Sequence, residues 1–178
     1  MATDSVTAQI LIDVLGTELW SAENLAGAVK NRARRDFALA NGTSDGQCDL
    51  VWSDRRSLAA ATSETLDLSG TALTDAAGTA IAFAQVDYII VLNRNTTAGD
   101  DLHIGQNSSN GFTGPWADAS DRAVCPAGSS AGAQDGLLFI GNPQGWAVTA
   151  GTGDLLYIEN IDASNAISYD IIIIGRSA

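Results

Sequence analysis

Apolar and polar residues along the chain alternate over short stretches, and the longest unbroken apolar run comes near its end. Ile171 to Ile174 are four consecutive isoleucines, and Leu155 to Ile158 is a second apolar run, with a polar Asp-Ala-Ser-Asn segment between the two. Both runs are rich in β-branched and aromatic residues, so this stretch reads as strand, loop, strand. Four isoleucines without alternation require cover on both faces, which predicts a central strand.

The same reading gives strands at 6–14, 49–53, 64–68, 79–83, 86–93, 101–106, 122–125, 136–140, 146–149, 155–160 and 168–175, separated by Gly, Asn, Asp, Ser or Pro clusters. Their spacing of roughly 8 to 15 residues suits a sandwich or jelly roll and not alternating β and α units. Between Ser21 and Ala40 the pattern is divided. Leu25, Val29, Ala33, Phe37 and Ala40 fit a helical stripe that Ser21 would cap, while 34–40 also reads as extended. The expectation is a short helix over 21–31 followed by a strand, then a turn at Asn41-Gly42.

Composition supports this picture. Glycine is frequent, at 18 of 178 residues, and aromatics are few, as in many short strands joined by turns. A chain of this length buries roughly 70% of its unfolded surface as one domain, without disulfides or metals. No apolar run approaches the ~18 residues of a membrane span, and the N-terminus lacks the features of a signal peptide. A soluble protein made in the cytoplasm is expected, with Cys48 and Cys125 as free thiols.

Charge divides the chain. Lys30, Arg32, Arg34, Arg35, Arg55 and Arg56 lie between positions 30 and 56, whereas residues 57–178 hold three arginines against thirteen acidic side chains, a net −10. An acidic body argues against nucleic-acid binding, which needs clustered Lys and Arg. The basic segment has two readings. It docks onto an acidic protein surface, or it is a solvated face interspersed with Asp36, Asp45, Asp49 and Asp54. The charge split divides the chain into an N-terminal arm or extension, 1–56, and a sandwich domain, 57–178.

Candidate chemistry is sparse. The single histidine, His103, sits in an alternating strand, so no Ser-His-Asp or Cys-His arrangement can be built on it. Asp100-Asp101 and Asp118 with Asp121 match no calcium loop, and surface solvation accounts for both. Gly151-Thr-Gly-Asp154 lacks the Lys-Ser/Thr ending of a phosphate loop and leads into a strand, so it reads as a hairpin turn. No cofactor or metal is called for, and an enzyme is not expected. The irregular stretch 107–133 carries Phe112 and Trp116. They fold over the core or face a partner, and packing over the core is favoured.

The succession Asp54-Arg-Arg-Ser-Leu-Ala-Ala, Glu64-Thr-Leu-Asp-Leu-Ser-Gly, Leu73-Thr-Asp-Ala-Ala-Gly, Asn93 to Asp101, Asn110-Gly-Phe, Ala147 to Leu156 and Tyr169-Asp-Ile-Ile-Ile-Ile-Gly resembles a group of small structural proteins of tailed-bacteriophage virions. The likeness covers about two-thirds of the chain. It implies a component of the virion, assembled in the host cytoplasm, and brings no catalytic residues with it. A turn-rich sandwich with an acidic body and a basic N-terminal segment looks like a capsid decoration (cement) protein. That role implies the major capsid protein or other virion proteins as partners, a small homo-oligomer, and no nucleic acid or membrane. The alternative is a tail or tail-tip protein that contacts host-surface glycans through Trp116, Phe112 or Trp146.

Overall fold

The computed structural model describes residues 5–22, 25–75, 77–106, 109–116, 118, 120–131 and 134–178; over 14–31 and at position 106 it describes the backbone without the side chains. The described residues hold eleven strands and no helix. In chain order these are β1 (Ala8–Ala22), β2 (Leu25–Asn41), β3 (Gln47–Cys48), β4 (Leu50–Leu58), β5 (Ser63–Asp67), β6 (Gln85–Asn93), β7 (Leu102–Gln106), β8 (Arg122–Cys125), β9 (Gly136–Ala147), β10 (Leu155–Asn160) and β11 (Ile167–Arg176).

Two four-stranded antiparallel sheets, ordered β5-β10-β7-β8 and β4-β11-β6-β9, share one core. Alternation explains how. Leu156 and Ile158 of β10 with Leu102 and Ile104 of β7 meet Ile171, Ile173, Ile89 and Val91 of the facing sheet, all fully buried. Each such side chain contributes about 1.5–3 kcal/mol through removal from water. Phe83, Leu68 and Phe112 close this core from the connecting segments.

β11 is central, between β4 and β6. Ile171 and Ile173 face the other sheet, while Ile172 and Ile174 face the opposite way, into a second cluster with Val51, Tyr88, Ile90 and Phe139. That second cluster is covered by Val6, Ala8, Ile10, Phe37 and Leu39, from the base of the β1–β2 hairpin. The four-isoleucine run therefore has apolar cover on both faces, from two different elements.

Several sequence expectations are placed differently by the structure. The helix over 21–31 is absent: these residues, apart from the undescribed 23–24, lie in β1 and β2, which pair antiparallel from Ala8↔Leu39 to Ala22↔Leu25. A four-residue spacing such as Leu25, Val29, Ala33 and Phe37 is common to a helix and to alternate turns of period two, and pairing with β1 satisfies the backbone of the strand. Residues 79–83 form no strand but an isolated bridge, Thr74↔Ala80, with Ile81 and Phe83 buried. Stretches 136–140 and 146–149 are largely one strand, β9, whose pairing with β6 slips between Val86 and Tyr88. The boundary expected at 56/57 falls inside β4, which pairs with β11 from Leu50 to Leu58.

Candidate interaction surface

The outward positions of the β4-β11-β6-β9 sheet divide into an apolar half under the hairpin base and a charged half beyond it. In the charged half, Arg55 of β4 donates to Asp170 of β11 through Nε (2.6 Å) and Nη2 (3.1 Å). Arg94 donates to the same carboxylate through Nε (3.0 Å) and also pairs with Asp135. Hydrogen bonds from Arg55 and then Arg94 hold the Asp170 carboxyl down at about 2.

Arg56 is the next residue along β4, so pleating turns it to the other side. Its Nε donates to Glu64 of the facing sheet at 2.7 Å and its Nη1 to Asp54 at 2.8 Å. The Tyr169 hydroxyl donates to Glu64 as well. Tyr169 is fully buried, and burial first, with Glu64 second, raises its phenol pKa. Arg55 and Arg56 are therefore engaged by carboxylates of the chain itself, one across the sheet and one between sheets.

The other candidate cations sit on the hairpin. Arg32 pairs with Asp13, donating from Nε at 2.9 Å. Arg34 and Arg35 are exposed and pair with no carboxylate among the described residues. The side chain of Lys30 lies outside the described residues. Thus Arg34 and Arg35 differ from Arg32, Arg55, Arg56, Arg94, Arg122 and Arg176, each of which has an acidic partner.

Phe112 is fully buried, with its amide on the Leu155 carbonyl (2.9 Å), and Trp116 meets it edge-on with ring centroids 6.3 Å apart. Trp116 and Trp146 are half-buried against the same core. The segment packs over the protein's own core, which leaves Phe112 unable to stack on a sugar.

His103 stands on β7, 4.0 Å from Glu159. Both cysteines are buried and free, and burial pushes the Cys125 thiol up to about 11. Among the described residues, no three His, Cys, Asp or Glu side chains are grouped to hold a metal ion. Asp100 is buried and accepts from Asn95 (2.9 Å) and Asn165 (3.0 Å), joining two loops at one end of the molecule. Gly151 to Asp154 forms a tight turn closed by the Thr149↔Gly153 bridge, with Asp154 accepting from the Gly151 amide.

Sequence reading missed Arg176 and Asp87, which make a buried ion pair at 3.0 Å beside Gln85. A signal was present: an ionisable residue inside each of the apolar runs Val86 to Leu92 and Ile171 to Arg176. Compared with protein-family models, curated proteins and solved structures, the chain has no match.

Proposed function

We propose that this chain is a non-enzymatic structural protein of a tailed-bacteriophage virion, a capsid decoration (cement) protein that stabilises the head through contacts with the major capsid protein. In this reading the two facing sheets are a jelly-roll-like body and the β1–β2 hairpin is its arm. The observation that carries it is the hairpin: 15 and 17 residues of paired strand attached to the body at one end, with Arg34 and Arg35 lacking acidic partners among the described residues of an otherwise acid-rich chain. Long-range attraction between such cations and an acidic partner surface favours docking through the arm. The family resemblance of residues 54–175 points the same way.

The test is removal of residues 14–31, with Asp13 joined to Arg32 through an Asn-Gly turn, combined with R34E/R35E, so that both the reach of the arm and its two exposed cations are lost. This leaves Ile10, Phe37 and Leu39 in place over the sheet. Binding to empty shells, followed by co-sedimentation, should fall at least tenfold while the circular dichroism and melting of the body stay close to those of the intact chain. Undiminished co-sedimentation would defeat the proposal.

A further inference from the structure

An arginine guanidinium carries five N–H donors, and the chain itself engages all of those on the two terminal nitrogens of Arg176. Nη1 donates to the Thr43 carbonyl and to Asp45, and Nη2 donates to Asp87 and to the Gln144 carbonyl. The remaining donor, on Nε, has no partner among the described residues, and neither has Asp87 Oδ2 or Gln85 Oε1. All three atoms are buried, and the side chains of Arg176 and Asp87 are each 1% exposed. Buried polar atoms are almost always hydrogen-bonded, so one orphaned donor beside two orphaned acceptors requires an account.

The three atoms belong to one site. Arg176 meets Asp87 by a single limb, Nη2 to Oδ1 at 3.0 Å, whereas a guanidinium and a carboxylate commonly meet fork to fork. The other limb, Nε and Oδ2, is not closed by a direct bond. Gln85 reaches the same place: a Cβ on Gly145 would lie 2.4 Å from Arg176 Nη2, 2.6 Å from Gln85 Oε1 and 3.0 Å from Asp87 Oδ1. The positive guanidinium favours the amide oxygen of Gln85, and not its NH2, on this side.

We propose that a single buried water molecule closes this limb, accepting from Arg176 Nε and donating to Asp87 Oδ2 and Gln85 Oε1. Water has two hydrogens and a lone pair for these three atoms, and about three bonds is the usual number for a buried water. Charge disfavours the other small occupants. A metal cation would lie against the guanidinium and an anion against the carboxylate, while an ammonium ion has no lone pair to accept from Nε. The site bears on the hairpin, because the same guanidinium holds Thr43 and Asp45 in the connection between β2 and β3. With Nε bridged, every donor of Arg176 is engaged, and the root of the hairpin is tied to β6 and β9 through one fixed group.

The experiment is a crystal structure of the full chain at about 1.2 Å, beside one of the variant Gln85→Met. An ordered water within about 3.2 Å of Arg176 Nε, Asp87 Oδ2 and Gln85 Oε1 is expected. In Q85M an apolar group replaces one of its acceptors, and the water should disappear from the density while the bond from Nη2 to Asp87 Oδ1 remains. Direct contact of Nε with Oδ2, or of Oδ2 with Gln85 Oε1 through a proton on Asp87, with no density between them, overturns the inference. A water of undiminished occupancy in Q85M overturns it too, because Gln85 then takes no part in holding it. The unaltered chain decides the presence of the water by itself, whether or not Q85M folds.

Discussion

Arg176 Nη2 donates to Asp87 Oδ1 at 3.0 Å with both side chains 1% exposed, and the same guanidinium reaches two further elements. Nη2 also donates to the Gln144 carbonyl (2.7 Å), and Nη1 donates to the Thr43 carbonyl (3.3 Å) and to Asp45 (3.1 Å). One side chain at the end of β11 thus ties down the loop that follows the hairpin, the bend of β9 and the start of β6. Gly145 is the complement of this arrangement: its φ of +77° suits glycine, and a Cβ there would collide with the Arg176 guanidinium.

Removal of the cation alone would leave Asp87 buried with no positive partner. Arg176→Met is expected to cost about 3–5 kcal/mol, the range for breaking a buried pair. The double variant R176M/D87L should recover a large part of that loss, because no unpaired charge remains. Burial raises the Asp87 pKa, and Arg176 counters it. In Arg176→Met the Asp87 carboxyl should therefore titrate still higher, and stability should rise as pH falls through that value. Urea unfolding of the three proteins across pH checks both effects; a double variant as unstable as R176M would assign the loss to the carbonyl contacts instead.

Ile172 and Ile173 are adjacent but rest on different supports. Ile173 is fully buried between the two sheets, and Ile173→Ala is expected to cost about 2–5 kcal/mol. Ile172 is only partly buried, beneath the hairpin base. Ile172→Ala should cost about half as much, since less surface leaves contact. Equal losses in chemical denaturation would show that the hairpin base is as firmly packed as the main core.

These two residues also mark how far the sequence could be read. The absence of alternation at 171–174 was enough to predict a central strand, because the need for cover on both faces is local information. The source of the second cover was not local: Ile10 and Leu39 come from stretches that read as strands, 6–14 and 34–40, but nothing in either shows that the two pair with each other and lie over the outward isoleucines of β11. Arg55 and Arg56 show the same limit. Their place in a basic segment suggested a docking patch, but Arg55 meets Asp170, 115 positions away, and Arg56 meets Glu64 across the core. Which cations are engaged depends on strand register, and register is set by pairing between distant parts of the chain. Residues 79–83 failed differently: Ile81 and Phe83 are buried as the apolar pattern required, yet they plug the core without joining a ladder.

The Asp170 carboxyl sets an acid limit on the fold. Its pKa in the folded chain, about 2, lies below the ordinary 3.8, so its contribution is complete above about pH 4 and disappears as pH falls toward 2. With Arg55 mostly in solvent and its pairing screened, the contribution is on the order of 1–2 kcal/mol. Asp170→Asn should lower stability at pH 6 by that amount and flatten the loss between pH 4 and 2. Parallel pH profiles for the two proteins would exclude Asp170 as the group responsible.

Cys48 and Cys125 report on the two clusters separately. Cys125 lies in the core between the sheets, and Cys48 lies in the cluster beneath the hairpin base; both are fully buried. Burial raises both thiol pKa values, and nucleophilic attack requires the thiolate. A disulfide-exchange reagent at pH 8 should therefore react with neither cysteine on mixing and with both after unfolding. As the fold opens locally, Cys48 is expected to react first, since the hairpin base can lift without separation of the sheets. Deletion of residues 14–31 should accelerate Cys48 and leave Cys125 unchanged. Equal acceleration at the two sites, read by mass spectrometry of each cysteine peptide, would mean that the hairpin and the sandwich open as one unit.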